Sequence, residues 1–182
     1  MQGSVLDPDF LKSLGTFDIT YSWGVLHHTG DMWRALENIV IPVAEDGRLF
    51  IAIYNDQGFK SRLWKKVKRA YCRNSISRTL ISTIFYPYLF LRTAASSLVS
   101  KKNLFTGYRK KRGMSIVHDW RDWLGGYPFE VATTTEIFNF YNSRGFILTR
   151  LESSCGLGNN QFVFHFQPAA LKPLQISSNR SP

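Results

Sequence analysis

Cysteine is scarce in this sequence, acidic residues are outnumbered, and no apolar run is long enough to cross a bilayer. Cys72 and Cys155 are the two cysteines. They form no CxxC pair, which excludes a CxxC-type metal site, and they cannot staple a secreted disulfide framework. The longest apolar stretch, Leu80–Leu91, is about a dozen residues and contains Pro87, whereas a spanning helix takes roughly 20. The first residues, Met1 through Gly3 and Ser4 to Asp7, lack the basic, apolar and small-residue order of a secretory leader. These shortages point to a reducing, cytoplasmic setting. The Gly-rich candidate for a cofactor loop is Gly156-Leu157-Gly158. A phosphate-cradling loop needs a strand before it and a helix after it. This one leads into the apolar run Gln161–Phe166 and reads as a hairpin turn.

What the chain does have is core. Of its 182 residues 44 % are apolar and 15 % aromatic, enough for one ordinary domain and against wholesale disorder. The net charge of +10 is unevenly placed. Between Gln57 and Gly126 there are 16 Lys and Arg against two acids, Asp119 and Asp122, while the remainder holds 7 Lys and Arg against 11 acids. An acidic scaffold thus carries a basic segment. Such a run is either a solvated helix face or a surface that meets phosphates.

Phe17–Trp23 is rich in β-branched and aromatic residues and reads as a strand. Asp31–Val43 carries apolar residues at Met32, Trp33, Leu36, Ile39, Val40 and Val43, which is helical spacing, with Thr29 or Asp31 as the cap. Asp46-Gly47 turns the chain into Arg48–Tyr54, whose continuous apolar run fits a central parallel strand buried on both faces. Helices are expected around Ser61–Tyr71 and Ser77–Ser97. Another is expected over Thr133–Arg144, capped by Thr134 or Thr135, with Ile137, Phe138 and Tyr141 inward and Gly145 closing it. Phe146–Leu151 and Gln161–Phe166 complete the strands, and a frayed tail is expected from Pro168. Strand, helix, strand, helices, helix, strand, strand describes an α/β fold.

These segments, FDITYSWGVLHHTGDMWRALENI, DGRLFIAIYN and TTEIFNFYNSRGF with two closing strands, resemble the C-terminal half of class I S-adenosylmethionine-dependent methyltransferases, of the small-molecule and quinone-biosynthesis type. The resemblance implies a partial Rossmann-like sheet of strands four, five, seven and six, with residues 1–56 and 127–167 as core, a helical basic insert or lid at 57–126 and a tail at 168–182. It also implies that the family's Gly-rich loop and ribose-binding acid should precede Gly3, where only Met1 and Gln2 stand. The expectation is therefore a shortened methyltransferase that binds S-adenosylmethionine weakly and is weakly active or inactive alone. Its strand-four edge, Phe17–Trp23, would be open to self-association.

By the same resemblance Ser4 and Val5 would flank the adenine, and Ser22, Trp23 and Gly24 would border the methionine portion. Trp23 offers an aromatic face to a sulfonium, or simply packs in the core. His27 and His28 follow at the mouth, where an imidazole can serve as base, or can hydrogen-bond the turn. Tyr54 and Asn55 end their strand where they would touch the acceptor, or merely close the strand. No third ligand accompanies the histidines, so no metal site is expected.

The apolar stretch Leu80–Leu91 lies between Lys65, Lys66, Lys68 and Arg69 on one side and Lys101, Lys102 and Lys110–Arg112 on the other. It fits an ordinary core helix, a lid over a small hydrophobic acceptor, or a helix on an anionic membrane surface. Nucleic acid has thin support, because no RNP-type, zinc or helix-turn-helix pattern occurs. Two functions stand side by side: methyl transfer to a hydrophobic small molecule, and a non-catalytic methyltransferase-like protein that binds an anionic partner through its basic segment.

Overall fold

The computed structural model describes residues 1–100, 113, 115–154, 156 and 158–167. In chain order its elements are α1 (Pro8–Ser13), β1 (Phe17–Trp23), a 3-10 turn (Leu26–His28), α2 (Met32–Asn38), β2 (Val43–Tyr54), α3 (Phe59–Arg73), α4 (Ser75–Ser100), α5 (Ile116–Gly125), α6 (Thr134–Asn142), β3 (Phe146–Glu152) and β4 (Asn159–Phe166). They fall into two units, residues 1–57 with those from 131 onward, and residues 58–130.

The first unit is a four-stranded sheet in the order β1-β2-β4-β3. β1 and β2 run parallel, and β4 is antiparallel to both of its neighbours. Leu49, Ile51 and Ile53 of β2 share one face with Phe162 and Phe164 of β4, and α2, α6 and the 3-10 turn cover that face with Leu26, Met32, Leu36, Ile137 and Tyr141. The other face was expected to be covered too. Instead Ile19 and Tyr21 of β1 are 63 % and 64 % exposed, Phe50 is half-buried and Arg48 is exposed. Period-2 alternation sends these side chains to the side away from the helices.

Several boundaries differ from the sequence reading, each for a local reason. Helix α2 ends at Asn38 rather than Val43, because the residue before a proline is pushed out of helical conformation. The Pro42 carbonyl then accepts from the Phe17 amide at 2.8 Å and from the Thr20 hydroxyl at 3.3 Å, which starts β1 beside β2. Strand β2 accordingly begins at Val43, with Asp46 in the left-handed region and Gly47 so close to the Ala44 carbonyl that a Cβ would lie 2.7 Å from it.

The α6 cap is Thr133, not Thr134 or Thr135. Its hydroxyl accepts from the Glu136 amide at 3.2 Å while the Glu136 carboxylate accepts from the Thr133 amide at 2.8 Å. Ile137 and Tyr141 are buried as expected, but Phe138 is exposed. Two helices were not anticipated. The Asp7 carboxylate caps α1, accepting from Asp9 and Phe10 at 3.0 and 3.1 Å, and the Ser115 hydroxyl caps α5.

In the second unit α3 packs on both α4 and α5. Trp64 meets Trp123 edge-on at 4.3 Å and Phe85 at 5.3 Å. Lys68 is buried between the Trp123 and Phe129 rings, 4.7 and 5.1 Å from their centres, and its ammonium donates to the Trp123 carbonyl. No helix among the described residues is long and apolar enough to cross a membrane. Lys101, Lys102, Lys110–Arg112 and the expected tail from Pro168 lie outside the described residues.

Candidate functional site

Parallel pairing places the C-terminal ends of β1 and β2 side by side, with Trp23 opposite Ala52. Gly24, at φ +71°, turns the chain out of β1, and a Cβ there would meet nothing within 4 Å. The chain then enters the 3-10 turn, held by the His28 amide donating to the Val25 carbonyl at 2.9 Å and the Thr29 hydroxyl donating to the Leu26 carbonyl at 2.8 Å. The turn brings both imidazoles against Tyr54 at the end of β2. Ring centres lie 4.2 Å apart for His27 and Tyr54, 5.6 Å for His28 and Tyr54, and 4.5 Å between the histidines. His27 is fully buried, whereas His28 is half-buried. The inner imidazole therefore acts on its neighbours and the outer one can meet a solute.

The remaining sequence candidates do not all converge on that cluster. Ser22 and Trp23 leave β1 on opposite faces. Ser22 is buried toward the helices, while Trp23 is half-exposed on the open face and stacks on Tyr21 at 6.4 Å. Asn55 is drawn into a closed amide network. Its amide donates to the Ser154 carbonyl at 3.0 Å, and its oxygen accepts from Asn160 at 3.1 Å. Asn160 also donates to the Thr134 hydroxyl at 3.2 Å and accepts from the Ser154 amide at 2.9 Å. Asn55 thus ties the end of β2 to β4 and α6. Ser4 and Val5 sit by α2: the Val5 carbonyl accepts from Asn38 at 3.0 Å, and the Ser4 hydroxyl accepts from the Leu6 amide at 3.1 Å.

Sequence reasoning missed a hollow of about 270 Å³ on the open sheet face, where Tyr21, Trp23, Phe50 and Val163 form the floor and Arg150 and Glu152 pair at its rim. The signal was available, since Phe17, Ile19, Tyr21 and Trp23 occupy alternate positions of one strand. Among the described residues no three His, Cys, Asp or Glu side chains gather as a metal site would require.

No protein-family model matches the chain, and no curated protein matches it. Solved structures do. PKMT2 from Rickettsia typhi, in complex with AdoHcy, superposes at a TM-score of 0.51 with 13 % identity, over 91 % of this chain and 38 % of that one. The chain has a methyltransferase fold. An O-methyltransferase family protein from Burkholderia thailandensis superposes at 0.47 with 11 % identity, over 92 % of this chain and 35 % of that one. The chain spans little more than a third of the length of either methyltransferase-fold structure.

Proposed function

We propose that the first unit belongs to an S-adenosylmethionine-dependent methyltransferase that acts on a small hydrophobic acceptor, of the type resembling quinone-biosynthesis enzymes. The observation that carries this reading is the packing of His27, His28 and Tyr54 at the carboxyl ends of adjacent parallel strands. In open α/β sheets the ligand lies just outside those ends.

The residues present suit one side of such a ligand. Gly24 leaves open space where any side chain would intrude, and Trp23 offers a half-exposed ring to a cation. When bound, the cofactor supplies an activated methyl group on a cationic sulfur. In this reading the backbone of Ser22, Trp23 and Gly24, where β1 ends, borders its methionine end, and Ser4 and Val5 border its adenine. Orientation of this kind accounts for on the order of 7–11 kcal/mol of a barrier. His28, the more accessible imidazole, takes the acceptor's proton. His27, beneath Tyr54, is a positioning residue that holds the turn.

The test is a titration with S-adenosylhomocysteine followed by amide NMR. Shifts should concentrate at Trp23, Gly24 and His28 and weaken in Trp23→Ala. Shifts confined to other residues, or none at saturating ligand, reject the reading. The non-catalytic alternative draws on the second unit alone.

A further inference from the structure

Between α4 and α5 lies an open hollow of about 590 Å³ that also takes in Tyr71 of α3. Arg78, Ser82 and Tyr86 follow one another at four-residue spacing and so line it from one side of α4, while Val117 and Arg121 do the same from α5. Tyr71 is buried, whereas the other lining residues are half-buried or exposed, so its ring lies deepest. The Arg78 guanidinium sits over that ring, 5.8 Å from its centre. Tyr86, Pro87 and Val117 supply apolar wall. The charged groups of the hollow are of one sign. Arg78 and Arg121 line it together with His118, and no carboxylate does. His118 is oriented by the Ser115 hydroxyl, 2.7 Å from its Nδ1. The Thr79 and Thr83 hydroxyls donate to the Ser75 and Thr79 carbonyls at 3.0 and 2.9 Å, so the arginines carry the donors left for a solute. Asp119 of α5 lines a separate hollow with Trp120 and Trp123.

We propose that this hollow binds a small organic anion, with its oxyanion group meeting Arg78 and Arg121 and its apolar body lying against Tyr86, Pro87 and Val117. A guanidinium presents paired donors in a fixed fork that suits phosphate and carboxylate oxygens. The volume falls within the roughly 300–1,000 Å³ of small-molecule pockets. Inorganic phosphate would satisfy the arginines and leave the apolar wall in water. A neutral apolar molecule would cover the wall and strip water from the guanidiniums with nothing in return. Only a solute with both parts uses everything that lines the hollow. The inference uses no residue of the sheet and stands apart from methyl transfer.

Calorimetric titration of the full chain tests it with three probes: 1-naphthyl phosphate, 1-naphthol and inorganic phosphate. The naphthyl phosphate should bind at least about tenfold tighter than either fragment, and less tightly as salt is raised. Arg78→Gln and Arg121→Gln should each weaken it about tenfold. Changing Arg62 and Arg69 together to Gln, which removes as much charge from outside the hollow, should leave it unchanged. All four arginines are exposed, so the circular dichroism of the variants should match the parent. If Arg78→Gln disturbs the packing on Tyr71, Arg121→Gln alone decides. Four results overturn the proposal: no binding of the naphthyl phosphate, inorganic phosphate binding as tightly, 1-naphthol binding as tightly, or the Arg62 and Arg69 changes costing as much as Arg121→Gln. The S-adenosylhomocysteine titration should be unaffected in every variant, so failure here leaves the other reading intact.

Discussion

The Tyr141 hydroxyl donates to the Leu36 carbonyl at 3.0 Å, fastening α6 to α2 in the middle of the core. Both residues are fully buried, so the carbonyl has no water to fall back on. Tyr141→Phe should lower stability by about 1–3 kcal/mol, read from urea denaturation, with the fold retained. A cost near zero would show that the bond is replaced. Burial also pushes the Tyr141 phenol well above its ordinary value. The unfolded chain ionises near pH 10 while the folded one does not, so stability should fall as pH rises beyond about 10. The phenylalanine variant should lose that part of the slope.

Lys68 gives the opposite sign. Burial pulls its ammonium down to about 8, against an unfolded value of about 10.4. Below pH 8 both states are charged and the desolvation cost is present in full. Between about 8 and 10.4 the folded state sheds its proton first, so stability should rise with pH, by at most about 3 kcal/mol. Lys68→Met should flatten that rise. Denaturation followed by tryptophan fluorescence at neutral pH and at pH 9–10 decides, and parallel curves for the two proteins count against the assignment.

Asn160 closes a network whose members are far apart in sequence. Asn160→Ala leaves the Asn55 oxygen and the Ser154 amide without their partner and should cost about 2–4 kcal/mol. Asn55→Ala should be sub-additive with it, by about 1 kcal/mol or more in a double-mutant cycle. Strict additivity would mean that the two amides do not act together.

The order of β-elements was readable because each strand carries its own local signature, and β1 and β2 run side by side in one direction as expected. Helix ends were less readable. Thr133 outcompetes Thr134 and Thr135 as cap only because Glu136 falls three residues later. Asp7-Pro8 is an equally plain start signal, and the helix it opens was passed over. At the site, His27, His28 and Tyr54 were each legible as candidates, but their stacking depends on the parallel pairing of β1 and β2. That Ser22 and Trp23 point apart follows from strand alternation, which the family resemblance obscured. The binding of Asn55 to Asn160 is a long-range contact with no local signature.

Strand β1 lies at the sheet edge and exposes Ile19 and Tyr21 on the open face. An unpaired apolar edge strand is a template for another chain. Sedimentation velocity should show association as concentration rises, and Ile19→Lys combined with Tyr21→Lys should suppress it. Should the doubly substituted protein associate as readily as the parent, the contact lies elsewhere.

The backbone leaves the sheet at Asn55 and returns at Ala132, where a single β-bridge joins the two residues and the Ala132 amide donates to the Tyr54 carbonyl at 3.0 Å. The departure and arrival points of the 58–130 stretch are thus already stitched together inside the first unit. A short glycine-serine tether in place of that stretch would close the same stitch at a lower entropy of loop closure. A change in the length of that excursion therefore alters a loop whose two ends the Asn55–Ala132 bridge already holds together.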